Sequence, residues 1–245
     1  MDIRKLYDKI KKDEEPLSCA AVIVAAGSSE RMGFDKLTVM LDGIPVLMRA
    51  AQAFDRSPLI EEIVIVTRED RLQEMADLCR QYQIGKIGSV VCGGATRTAS
   101  VFAGVMALRK NSALVAVHDG ARPFVSQELI AACVEKASVQ YAAIPVLRST
   151  DSLRGIDEKG VLLGSLDREK VVRVQTPQVF QTDLLKGALS DASAKGLSFT
   201  DDATAVERMG LRLQAVEGDE ENIKLTTPED FELAKGILER KREQA

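Results

Sequence analysis

The segment Ala25-Ala26-Gly27-Ser28-Ser29-Glu30-Arg31-Met32-Gly33-Phe34-Asp35-Lys36 combines small residues with two cations, directly after the apolar run Cys19–Val24. Small residues let backbone N–H groups come close to a phosphate, and Arg31 and Lys36 add positive charge beside it. The pattern points to a nucleotide triphosphate site. It matches neither common glycine loop. Phe34 follows Gly33, so the GxxxxGK[ST] phosphate loop is absent. The dinucleotide fingerprint GxGxxG does not fit from Gly27 onward either. The alternative is an ordinary strand-to-helix turn with solvated charges.

Asp119 sits in a second such place, His118-Asp119-Gly120-Ala121-Arg122-Pro123, after the apolar run Leu114–His118. A carboxylate at a strand end beside a triphosphate site is a natural Mg²⁺ ligand, because magnesium takes few protein carboxylates and completes its shell with phosphate and water. A turn aspartate capping the next segment is the other reading. His118 is the only histidine, which excludes a two-histidine metal site. Downstream stand Asp167-Arg168, Arg173, Gln175-Thr176-Pro177-Gln178, Thr200-Asp201-Asp202-Ala203 and Asn222-Ile223-Lys224. Taken singly, each reads as a cap or a solvated charge.

The elements that must position these residues alternate. Strand-like runs fall at Cys19–Val24, Glu62–Thr67, Ser89–Cys92, Leu114–His118, Ala142–Val146 and Leu211–Val216. Amphipathic helical patterns fall at Pro45–Arg56, Glu69–Tyr82, Thr96–Arg109 and Ser126–Val139. Such alternation predicts an α/β fold: one Rossmann-like domain over 19–240, with a mostly parallel sheet and helices on both faces. Ligands bind such sheets outside the carboxyl ends of the strands, where the loops at Ala25 and His118 converge. Thr227-Pro228 marks the start of a last helix running to Leu238. Between Leu147 and Arg173 the alternation stops. Two short β-like pieces flank Asp157-Glu158-Lys159-Gly160, which predicts a protruding hairpin arm. An isolated hairpin is marginal in water, so the arm predicts a homodimer.

Composition narrows the class. Net charge is −4, which argues against broad electrostatic binding of nucleic acid. An anionic substrate must be held by local cations instead. No apolar run reaches the about 18 residues of a membrane span. The charged N-terminal extension 1–18 has no apolar signal-peptide core. Ile3, Leu6 and Ile10 would share one face of a short helix there. Cys19, Cys79, Cys92 and Cys133 show no CxxC spacing, which predicts free thiols in a reducing cytoplasm rather than zinc or a disulfide framework.

Taken together, the motifs resemble the 2-C-methyl-D-erythritol 4-phosphate cytidylyltransferase family from Cys19 to Leu238. The first loop with Lys36, Gly93-Gly94-Ala95-Thr96-Arg97-Thr98-Ala99-Ser100-Val101, His118–Pro123, Asp167-Arg168, Thr176-Pro177-Gln178, Thr200–Ala203 and Asn222–Lys224 with Pro228-Glu229-Asp230 follow in the family's order. The resemblance implies transfer of CMP from CTP to methylerythritol phosphate, with Mg²⁺, in non-mevalonate isoprenoid synthesis. It implies that Arg31 and Lys36 hold the CTP phosphates and that Ala25, Ala26 and Gly27 offer backbone to the nucleotide. Gly93, Gly94 and Ser100 would read the cytosine and Asp119 would bind the metal. Arg122 would lie near the sugar phosphate, and Arg168, Thr176, Thr200 and Lys224 would hold the acceptor. The arm would place Arg168 and Ser152 in a neighbouring subunit's site.

The chain departs from the family in three places. Ala95 stands where an acidic residue is common, Asp35 stands where proline commonly precedes the lysine, and Asp151-Ser152 replaces an Asp-Thr pair. Two other readings share the motifs. A ribitol-5-phosphate cytidylyltransferase of the same fold would differ at the first loop and around Asp167-Arg168 and Thr200-Asp201. A non-catalytic nucleotide-binding regulator would lack the phosphate cations or the metal carboxylate, yet Arg31, Lys36, Asp119 and Lys224 are all present.

Overall fold

The computed structural model describes residues 18–27 and 35–243. The expected N-terminal helix and Arg31 lie outside the described residues. The sheet is built on β1 (Cys19–Val24), whose all-apolar sequence suits a strand covered on both faces. β1 runs parallel to β4 (Ile60–Thr67) and β6 (Leu114–Asp119), and β4 runs parallel to β5 (Ile87–Cys92). The eight-stranded sheet has the order β10-β7-β11-β6-β1-β4-β5, where β7 is Ala142–Arg148, β10 is Val172–Val174 and β11 is Gln178–Gln181, with β12 (Gln214–Glu217) also on β7. A small antiparallel pair, β2 (Met40–Leu41) with β3 (Ile44–Pro45), follows the first loop.

Alternation along the strands divides the core. Ala21 and Ile23 of β1 and Ile63 and Ile65 of β4 face α1 (Val46–Arg56), α2 (Leu72–Gln81) and α4 (Gln127–Gln140). Val22, Val64 and Val66 face α3 (Arg97–Met106), α5 (Thr182–Ala194) and α6 (Asp202–Glu207). A third cluster seats α7 (Pro228–Glu243) through Phe231, Ala234 and Ile237 on Leu41, Val46, Phe124 and Leu225. The mostly parallel sheet with helices on both faces is as the alternation predicts.

The sequence reading missed β11 (Gln178–Gln181), which runs antiparallel to both β6 and β7, and the helix α5 behind it. The polar Gln178 and Gln181 are buried by tertiary contact, so the strand carries no apolar run to find it by. The stretch after β7 leaves the sheet as a hairpin, β8 (Leu153–Ile156) with β9 (Leu162–Leu166), which among the described residues pairs only with itself. A short 3₁₀ turn at Arg168–Lys170 and β10 (Val172–Val174) return the chain to β7.

Helix α3 lies unusually close to the sheet. A Cβ on Gly104 would meet Val22 Cγ1 at 2.5 Å and Val66 Cγ2 at 2.6 Å. Alanine is the better helix former, but here it overpacks a buried contact. Gly104→Ala should therefore lose about 1–3 kcal/mol of stability, read as a lower urea midpoint at unchanged slope. A midpoint at or above wild type would contradict the close packing.

Candidate active site

Three loops meet at the carboxyl edge of the parallel strands, each fastened to a neighbour's strand. Ala25 N–H donates to Val66 O at 2.7 Å, Gly93 N–H to Thr67 O at 2.7 Å and Gly120 N–H to Val24 O at 2.9 Å. Between them opens a cavity of about 400 Å³, a size suited to a small-molecule ligand. Its wall includes Ala25, Ala26, Gly27, Lys36, Gly94 and Asp119, with Arg97, Ser100 and Lys224 completing the polar lining. Backbone approach is tight at Gly93, where a Cβ would meet Ser100 Oγ at 2.7 Å and Ala26 Cβ at 2.9 Å. Ser100 in turn orders the second loop. Its hydroxyl accepts from Gly94 N–H at 3.2 Å and donates to Thr96 O at 2.9 Å.

Asp119 is the electrostatic centre of the cavity. Its Oδ2 lies 2.8 Å from Lys224 Nζ and 3.7 Å from Arg122 Nε, and its Oδ1 lies 3.6 Å from Arg97. Burial opposes ionisation, but Lys224, Arg97 and Arg122 outweigh it and hold the carboxyl well below the usual range. Arg97 bridges onward to the buried Asp202 at 2.8 Å. Burial would lower the Arg97 guanidinium, and Asp202 and Asp119 reverse that, so it stays charged. The Asp202 N–H and Ala203 N–H both donate to Gln178 Oε1, which holds the start of α6 against the sheet.

The loop carrying Lys224 is stitched beneath the Asp119 loop. Asn222 Nδ2 donates to Thr176 O at 2.8 Å, Arg122 Nη1 donates to Asn222 O at 2.7 Å, and Leu225 N–H donates to Ala121 O at 2.9 Å. Arg122 therefore stands behind Asp119, not on the cavity wall. Thr176, expected at the substrate, has its hydroxyl engaged inside the protein. It accepts from Asp119 N–H at 3.1 Å and lies 3.0 Å from His118 Nδ1. His118 Nε2 lies 3.1 Å from the Arg122 carbonyl, which can only accept. The tautomer follows: Nε2 carries the proton, and Nδ1 accepts from Thr176 Oγ1.

The structure thus brings together Ala25, Ala26, Gly27, Lys36, Gly94, Ser100, Asp119 and Lys224, with Gly93 and Arg122 just behind. Thr200 is exposed before α6 and does not line the cavity. Ser152 and Arg168 are exposed on or beside the arm, away from the cavity of their own chain. Arg97 and Asp202 are the residues the sequence reading gave no role. Each lay inside a quoted motif, but nothing local pairs residues so distant in the chain.

Comparison with known proteins gives the family. The family model described as IspD, 2-C-methyl-D-erythritol 4-phosphate cytidylyltransferase, matches residues 19–240. The chain belongs to this cytidylyltransferase family. The family's enzyme from Halalkalibacterium halodurans is 39% identical over 91% of this chain and 97% of that relative. The one from Bacteroides fragilis is 40% identical over 89% and 98%. Among solved structures, the 4-diphosphocytidyl-2C-methyl-D-erythritol synthase of Anaerococcus prevotii superposes with a TM-score of 0.80 at 32% identity, covering 91% of this chain and 96% of that one. The cytidylyltransferase of Thermus thermophilus gives 0.74 at 32% identity, covering 89% and 98%.

His118 offers a pH test of the cytidylyltransferase's buried scaffold. Burial pushes its imidazole from the ordinary 6.5 down to about 4, despite the bond at Arg122 O. The folded protein therefore binds this proton less readily than the unfolded chain. The stabilisation is complete above the ordinary value and is lost as pH falls from there to about 4, by roughly 3 kcal/mol. His118→Asn should be less stable than wild type at neutral pH, with the gap shrinking by that amount toward pH 4. A gap in urea unfolding that stays constant with pH would contradict the neutral, buried imidazole.

Proposed function

We propose that the chain transfers the cytidylyl group of CTP to 2-C-methyl-D-erythritol 4-phosphate, yielding 4-diphosphocytidyl-2-C-methyl-D-erythritol and pyrophosphate. The observation that carries this reading is the ionised Asp119 among Lys224, Arg97 and Arg122, in a cavity shared with the first loop and Lys36. The attacking group is a phosphate oxygen, already anionic at neutral pH. It needs orientation and relief from charge repulsion, and no base has to deprotonate it. His118 suits that economy, being buried with both ring nitrogens engaged.

Placement supports the following roles. Lys36 holds the CTP phosphates, and the small residues Ala25, Ala26 and Gly27 let the nucleotide approach backbone. Gly93, Gly94 and Ser100 form the loop that reads the base. Lys224, with Arg122 behind it, faces the acceptor phosphate. Thr176 acts through Asp119, whose backbone N–H it holds. Asp119 suits Mg²⁺. Among the described residues it is the one carboxylate lining the cavity, and Oδ1 has only Arg97 at 3.6 Å, beyond hydrogen-bond length. A bound Mg²⁺ would offset negative charge on the transferring phosphoryl group and the leaving pyrophosphate.

A homodimer completes the reading. Among the described residues the arm's strands pair only with each other, and they expose Ile156 (64%), Leu162 (63%) and their apolar neighbours Val161 and Leu163. A second copy covers that surface and receives Ser152 and Arg168 at its own cavity. The enzyme would act in the cytoplasm, in keeping with the fact that no helix among the described residues is long and apolar enough to cross a membrane.

Pyrophosphate release from CTP with Mg²⁺ tests the reaction. Release is expected with methylerythritol phosphate and not with ribitol 5-phosphate, and Lys36→Ala should lose about 10²–10³ in rate, the scale of one transition-state contact. Release with ribitol 5-phosphate alone would transfer the site to that substrate. CTP binding without release would leave a regulator. The arm has its own test. Arg168→Ala and Lys36→Ala should each be nearly inactive, and remixing their subunits should restore about a quarter of wild-type activity, since half the dimers regain one intact site. No recovery on remixing would place Arg168 in its own chain's site.

A further inference from the structure

We propose that Arg71, at the end of a 3₁₀ turn ahead of α2, positions Lys36 through Asp35. The turn bearing Lys36 is secured on two sides. On one side Leu37 is buried, and its carbonyl accepts from Leu47 N–H at 3.0 Å. On the other, Asp35 Oδ1 accepts from Leu37 N–H at 3.1 Å, closing a side-chain turn around Lys36. Asp35 Oδ2 meets the guanidinium of Arg71. Arg71 is itself clamped, because its Nε and Nη2 donate to the two carboxylate oxygens of Glu74 on α2 at 2.9 and 2.7 Å. Only 12% of the Arg71 side chain is exposed. Arg71 therefore joins the Lys36 turn to a helix that packs on the sheet, and it is absent from the cavity wall.

Asp35 immediately precedes Lys36 in the chain. A proline would fix the backbone ahead of the lysine by its own ring. An aspartate has no such constraint and needs an external hold, which the fixed fork of an arginine supplies better than a flexible ammonium would. The Asp35–Arg71–Glu74 chain thus orients Lys36 toward the triphosphate. Exposed ion pairs contribute little, but this one is mostly shielded and both partners are committed at their far ends.

The inference rests on Lys36 being the ligand of the CTP phosphates, so Lys36→Ala is measured alongside. Arg71→Ala and Asp35→Asn should each raise KM for CTP by about five- to tenfold, the scale of one charge-assisted contact. KM for methylerythritol phosphate and the thermal midpoint should hold near wild type, which a general loss of structure would not allow. The double variant should be no worse than either single one. In an Asp35→Pro background, Arg71→Ala should have no effect, because the proline replaces the anchor. An unchanged KM for CTP in Arg71→Ala, additive effects in the double variant, or an undiminished effect in the proline background would each overturn the proposal. If Lys36→Ala leaves KM for CTP unchanged, the assignment of Lys36 fails and the anchor falls with it. If only Lys36→Ala raises it, Lys36 stands and Arg71 is structural.

Discussion

Asp119 carries its negative charge where little water reaches it, and the elements around the cavity are arranged to make that tolerable. An unpaired buried carboxylate would take up a proton. Lys224, Arg97 and Arg122 prevent this, and each arrives from a different part of the chain. Lys224 comes on the loop held by Asn222, Arg97 from the first turn of α3, and Arg122 from the turn after β6. Folding thus assembles a charge cluster that no local segment contains. The excess of cations over carboxylates in it suits a phosphoryl-transfer enzyme, whose substrates bring the missing negative charge.

The scaffold beneath the cluster works by division of labour along each strand. Alternate residues of β1 and β4 supply two separate apolar faces, so the carboxyl ends of the strands are left to the loops alone. His118, Thr176 and the Asp119 N–H form a short neutral relay under the charged layer. It fixes the Asp119 backbone without adding another charge. The single histidine of a phosphoryl-transfer enzyme is thereby accounted for without any proton transfer to substrate.

Much of this was legible in the residues. The apolar runs at Cys19–Val24 and Leu114–His118 marked strands because both of their faces are covered, and the small-residue loop after the first marked the nucleotide side. The strand ends and helix starts moved by a few residues only. What could not be read was whatever depends on distant partners. Gln178 and Asp202 are polar and would pass for surface residues, yet both are buried because each satisfies the other's neighbourhood. Arg97 reads as a solvated helix-start cation until Asp202 and Asp119 are brought to it. Thr176 lay in a recognised motif, but only its geometry shows that its hydroxyl serves Asp119 rather than facing the cavity.

The root of the arm has a consequence for how this fold can vary. Arg148 and Val172 face each other across the β7–β10 ladder, and Gln175 N–H donates to Pro145 O at 2.8 Å just before Thr176. The excursion is tied off at its base. Lengthening a closed loop costs only a slowly growing entropy, so residues can be added or lost beyond Arg148 while the register at Thr176, and with it Asp119, stays put. Insertions there would lengthen the arm and leave the charge cluster around Asp119 where it is.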